Sequence, residues 1–196
     1  MPTRLILGLV TLGLCLTAAA IGIAVAGTEP RAEPSGWTGA VRPPGAAVPD
    51  FRLRDQDGRV VHGAELRGSP AVFTFIYSTC EDTCPAQVQT IRGALDRLGR
   101  DVPVVGVSVD PANDTPARAR TFLVEQSMTG RMRFLLGSAG ELQRVWRAFG
   151  IAPRQGALDH SAYVVVADGA GRQRIGFPHS QLTSERLAHD LRRLLG

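Results

Sequence analysis

Residues 71–78, AVFTFIYS, form an unbroken run of apolar and β-favouring side chains. Side chains of a strand alternate between faces, so a strand made from this run needs cover on both sides. The requirement excludes a half-solvated antiparallel sheet and asks for helices above and below an open one. Tyr163 to Ala167 makes the same demand later in the chain. Strand patterns also occupy Val102–Val109, Arg133–Leu136 and Arg172–Phe177, and two short strands flank the Asp57-Gly58 turn.

Helical spacing fills the gaps between these runs. After Pro85, the apolar residues Val88, Ile91, Ala94, Leu95 and Leu98 recur on one face and stop at Gly99. Asp114-Thr115-Pro116 offers a capping side chain and a first-turn proline for a helix to about Ser127. Ser138 with Glu141 is a capping box opening a helix with Leu142, Val145, Trp146 and Phe149 on one face, ended by Gly150. A last helix runs from about Thr183 to Leu195. Alternating strands and helices that finish with a hairpin and a helix predict an α/β protein with a mixed sheet and a thioredoxin-like fold.

Ahead of this pattern, residues 5–26 are an uncharged run of 22 behind Arg4. At 1.5 Å per residue it is long enough to cross a hydrocarbon core of about 30 Å. Its length favours a retained membrane anchor over a cleaved signal, and Arg4 on the inner side puts the remaining chain outside the cytoplasm. Residues 27–48, rich in Pro and Gly, read as a tether, which leaves 49–196 as the folded domain. Cys15 lies inside the apolar run, and Leu14 before it is too bulky for a lipoprotein cleavage box.

The 22 basic residues are offset by 18 acidic ones and are dispersed, which argues against nucleic acid as a partner. All of the basic residues are arginine, and with no lysine both P-loop nucleotide chemistry and Schiff-base catalysis are excluded.

Chemistry concentrates at STCEDTCPAQ, where Cys80 and Cys84 sit between the buried strand and the helix that follows. That junction is at the carboxyl edge of the sheet, where open α/β sheets place their sites. Unpaired amides and the helix dipole there favour a thiolate. Spacing of four suits a disulfide couple or two sulfurs converging on one ion. His160, in ALDHSAY just before the second buried strand, tilts the choice toward metal: two soft thiolates with an imidazole suit copper(I), with zinc as competitor.

Three separated motifs here resemble those of the SCO/SenC copper-binding proteins, membrane-anchored thioredoxin-fold assembly factors for cytochrome c oxidase. They are Cys80, Cys84 and Pro85 with Asp82 between the cysteines, VDPANDTP at 109–116, and Asp159-His160-Ser161, within a likeness over roughly residues 48–195. Glu81 departs from the pattern, since family members commonly carry a proline there. The resemblance implies Cys80, Cys84 and His160 as copper ligands, with Asp82, Asp159 and Asp110 in supporting or electrostatic roles.

It further implies a carrier of copper, Cu(I) or Cu(II), which receives the ion from an upstream donor. The client would be the binuclear centre of cytochrome c oxidase subunit II or another extracytoplasmic copper enzyme. The alternative is a thiol-disulfide reductase in which Cys80 and Cys84 are the redox pair that reduces the client's cysteines. A peroxidase, suggested by Thr79 beside Cys80, lacks its upstream proline, and an inert disulfide would close too small a loop to stabilise much. His62, His179 and His189 read as solvated, Asp110 and Asp114 as turn and capping residues, and Met128 and Met132 as packing.

Overall fold

The structure, a computed structural model, describes residues 36–151 and 163–196. Among them no helix is long and apolar enough to cross a membrane. The expected anchor, Cys15, Asp159 and His160 lie outside the described residues. Trp37–Gly196 forms a compact unit.

Eight strands and four α-helices make up the described unit: β1 (Ala40–Val41), β2 (Arg52–Arg54), β3 (Val60–His62), β4 (Ala71–Ile76), α1 (Thr83–Leu98), β5 (Val104–Ser108), α2 (Pro116–Glu125), β6 (Arg133–Leu135), α3 (Ala139–Phe149), β7 (Tyr163–Ala167), β8 (Gln173–Pro178) and α4 (Ser184–Leu195). Six of the strands form one mixed sheet in the order β1-β8-β7-β4-β5-β6. Strands β5 and β6 run parallel to β4, β7 is antiparallel to it, and β8 reverses again.

Every residue of β4 and of β5 is buried, as a doubly covered strand requires. Val72 and Ile76 face α1, α2 and α4 in one core. Phe73 and Phe75 face α3 and the β2–β3 hairpin in the other, where the Phe149 ring lies 4.8 Å from Phe73 and 5.3 Å from Phe75. The expected mixed sheet with helices on both faces is what forms.

Helix boundaries follow local chemistry. Gly99 and Gly150 end α1 and α3 in the left-handed conformation, at φ 73° and 68°, which glycine adopts without steric cost. Ser138 and Glu141 make both halves of the capping box. At α2 the cap is Thr115, which accepts from the Arg118 amide, and not Asp114. Met128 and Met132 are buried in packing.

The sheet also recruits chain ahead of Pro49. Strand β1 pairs with β8, and the buried Asp190 carboxylate accepts from the Thr38 and Gly39 amides, each at 2.9 Å. Gln173, also buried, donates to the Ala47 carbonyl at 2.8 Å. Trp37 packs on the α1–α4 core with the Arg193 guanidinium 4.5 Å above its ring. Replacing Asp190 with alanine strands two amides, and the expected cost is about 3 kcal/mol. Urea denaturation reads that cost, and limited proteolysis near residue 40 should speed up with it.

Candidate metal centre

The carboxyl ends of β4, β5 and β8 and the start of β7 share one edge of the sheet. The loop after β4 carries Cys80, and Cys84 follows as the second residue of α1. Asp82 occupies the N-cap position but makes no side-chain cap. The Cys80 sulfur takes part of that role, accepting from the Cys84 amide at 3.2 Å. An amide that any helix leaves without an internal partner thereby orients the first sulfur. Pro85 sits in the first turn, where its missing N–H removes nothing.

The two thiols are free and unequal. Cys80 is half-buried, whereas Cys84 is 5% exposed within the α1 core. Burial pushes the Cys84 thiol well above its ordinary value, the hydrogen bond with Cys80 pushes it further, and the Tyr77 backbone pulls it back in part. Cys84 is therefore protonated at neutral pH in the metal-free protein, and a metal that takes both sulfurs displaces that proton.

Stability carries the same signature. A folded-state pKa raised above the unfolded value leaves the contribution intact below about pH 8.5 and removes it as pH climbs toward the folded value. Reduced protein should lose about 1.4 kcal/mol per pH unit in that upper window. Denaturant midpoints from pH 7 to 10 measure the slope, and Cys84→Ala should remove it.

Of the residues singled out from the sequence, the described structure brings Cys80, Cys84 and Asp82 together. The Asp110 carboxylate goes to the Asn113 side chain at 2.8 Å and so closes its own turn. Asp114, read from sequence as a turn or capping residue, instead reaches the cysteine loop. Its Oδ1 accepts from the Ser78 amide at 2.7 Å and the Ser78 hydroxyl at 2.5 Å, and its Oδ2 accepts from the Ser108 hydroxyl at 2.5 Å. The signal was present in the VDPANDTP stretch, but a capping motif explained it locally. His179, read as exposed, is half-buried at the same edge with its Nδ1 enclosed. His62 is half-buried and His189 exposed.

Among the described residues no group of three His, Cys, Asp or Glu is arranged to hold a metal ion. Two thiols offer soft donors for copper(I) or zinc and leave the rest of the coordination to other ligands. A cavity of about 330 Å³ lined by Asp55, Gln56, Arg59, Arg120 and Arg133 includes neither cysteine. Cys80 is the more exposed of the two thiols, half-buried against the α1 core.

The family model described as SCO1/SenC matches residues 40–196. An SCO2-like protein of Rickettsia felis is 26% identical over 135 residues, which cover 63% of this chain and 65% of that protein, so the match spans just under two thirds of the relative's length. The copper-bound structure of Bradyrhizobium japonicum ScoI is 31% identical with a TM-score of 0.64, covering 76% of this chain and 99% of that one. BsSco shares the fold at 23% identity and a TM-score of 0.67, covering 79% of this chain and 96% of its own; it is described as a member of the Sco family of cytochrome c oxidase assembly proteins with a disulfide switch.

Proposed function

The chain belongs to the SCO1/SenC family, and from that membership and the paired thiols we propose that it is a copper metallochaperone. Cys80, Cys84 and His160 bind the ion, and the protein delivers it outside the cytoplasm to the binuclear copper centre of cytochrome c oxidase subunit II or to another copper enzyme there. An upstream donor supplies the copper. The apolar run 5–26 holds the domain at the membrane, near a membrane-bound client.

The observation that carries this reading is the sulfur pair at the N-terminus of α1, one thiol buried and the other half-buried. Two thiolates with an open position match the softness and low coordination of copper(I). A second feature supports His160 as the third ligand. Thr74 of β4 is opposite Val164 of β7, so β7 starts at the edge where β4 ends and the cysteine loop begins. Three residue steps separate His160 from Tyr163, a reach of at most about 10 Å. Transfer is ligand exchange: an incoming client thiolate replaces a Cys80 or Cys84 sulfur on copper, with no change in oxidation state.

The free, adjacent thiols also favour a second reading, a thiol-disulfide reductase. In it Cys80 and Cys84 become a disulfide, and their two electrons and two protons convert a client disulfide into two thiols. Anaerobic copper(I) competition titration of the fully reduced full chain separates the readings. Tight one-to-one binding is expected, falling in His160→Ala by more than the roughly 10- to 100-fold that loss of an outer hydrogen-bond partner costs. Weak binding in the wild type, with rapid reduction of a client disulfide, would favour the reductase.

A further inference from the structure

The Asp114 carboxylate is held in a fixed position beneath the cysteine loop. Ser78 supplies two donors from the loop after β4 and Ser108 a third from the end of β5, at 2.5–2.7 Å. Both carboxylate oxygens therefore accept, from three donors in all. Ser108 is itself anchored, since its carbonyl accepts from the Trp146 indole of α3 at 3.0 Å. The charge is therefore braced by three elements and cannot swing into water.

Ser78 stands two residues before Cys80, which puts this charge within roughly 10 Å of the Cys80 backbone. Residues 78–91 contain Glu81 and Asp82 but no arginine, so the cysteine loop itself adds no positive charge; Arg52 and Arg54 share a cleft with Asp114, and Arg118 donates to the carbonyl of its neighbour Asn113, so they offset part of its field. Glu81 and Asp82 are exposed, and water and salt screen them. Asp114 is half-buried, and its field acts through protein of lower dielectric.

Two thiolates and a neutral imidazole carry a net charge of −1 with copper(I) and 0 with copper(II). A fixed negative charge nearby disfavours the first state relative to the second. We propose that Asp114 is a specificity-determining residue that biases the centre toward divalent over monovalent copper, an inference that rests on the copper reading above. The acid acts through space and ligates nothing.

The test is the one-electron reduction potential of the copper-loaded full chain, titrated anaerobically and followed by the thiolate-to-copper(II) absorption. Removing the charge in Asp114→Asn should raise the midpoint by about 59 mV, a tenfold fall in the copper(II)-to-copper(I) affinity ratio. Glu81→Gln and Asp82→Asn should move it by less than a third of that. Ser78→Ala keeps the charge but loosens it, and a smaller rise of the same sign is expected; this variant serves if Asp114→Asn fails to fold.

Thermal unfolding is measured alongside. An Asp114 that only braces the loop would lower the unfolding midpoint in both variants and leave the potential unmoved, which overturns the proposal. A wild-type chain that takes up no copper overturns the carrier reading and this inference with it. Copper uptake with an unmoved potential overturns this inference alone.

Discussion

Cys80→Ser and Cys84→Ser should both abolish tight copper(I) binding, with an affinity loss of more than about 100-fold, yet only Cys84→Ser should also destabilise the fold. Removing either sulfur leaves one thiolate, and a hydroxyl is a poor ligand for so soft an ion. The stability effects differ because the environments do. Cys80 is half-buried at the loop, where a hydroxyl can still accept from the Cys84 amide. Cys84 is 5% exposed among Val88, Ile76 and other apolar residues of the α1 core. A hydroxyl there is smaller than the thiol and more costly to remove from water, so even with the Cys80 and Tyr77 contacts at hand the expected cost is about 1–3 kcal/mol. Copper titration and urea denaturation of the two variants should therefore give matched losses in binding and unmatched losses in stability. Equal stability losses would mean that Cys84 is less enclosed than the structure has it.

Phe149→Ala should cost the fold about 3–5 kcal/mol. Its ring is fully buried, and it packs tilted on Phe73 and edge-on to Phe75 in the strand that leads to the cysteines. Stability of a domain this size is of the order of 5–15 kcal/mol, so most of the margin would go. The backbone at this point also matters, since the Phe149 carbonyl accepts from Arg42 at 2.7 Å and so ties the N-terminal segment down. One turn earlier, Trp146 holds Ser108 and through it Asp114. Loosening α3 should therefore weaken copper binding as well, though far less than loss of a sulfur. A denaturation curve and a copper titration on the same sample test both parts, and a loss under 1 kcal/mol would contradict the packing described here.

Much of the fold was legible in local chemistry. The run of AVFTFIYS demanded double cover and became β4, buried at every residue. Ser138, Glu141, Gly99 and Gly150 marked helix ends that form where their caps dictate. The cysteine pair could be placed at a strand-to-helix junction for the same reason. Signals of this kind act over three or four residues, so the sequence carries them whole.

The start of the domain was less legible. Residues 37–48 look like a tether because Pro and Gly dominate them and no period appears. Their order comes from Asp190 and Gln173, acceptors and donors well over a hundred residues away. Asp114 was hidden differently: its capping reading was locally sufficient, and its Ser78 partner lies thirty-six residues upstream.

By itself, then, the sequence determined the strand-and-helix alternation, the junction that holds Cys80 and Cys84, and the soft-donor character of the site, because periodicity, capping and ligand chemistry are properties of neighbouring residues. Only the tertiary structure decided that Cys84 is buried while Cys80 is half-buried, that Asp114 and not Asp110 reaches the loop, and that Ala40–Val41 join the sheet while Thr38 and Gly39 are tied to Asp190 of α4. Burial and long-range hydrogen bonding depend on which elements meet, and that is set when the sheet assembles.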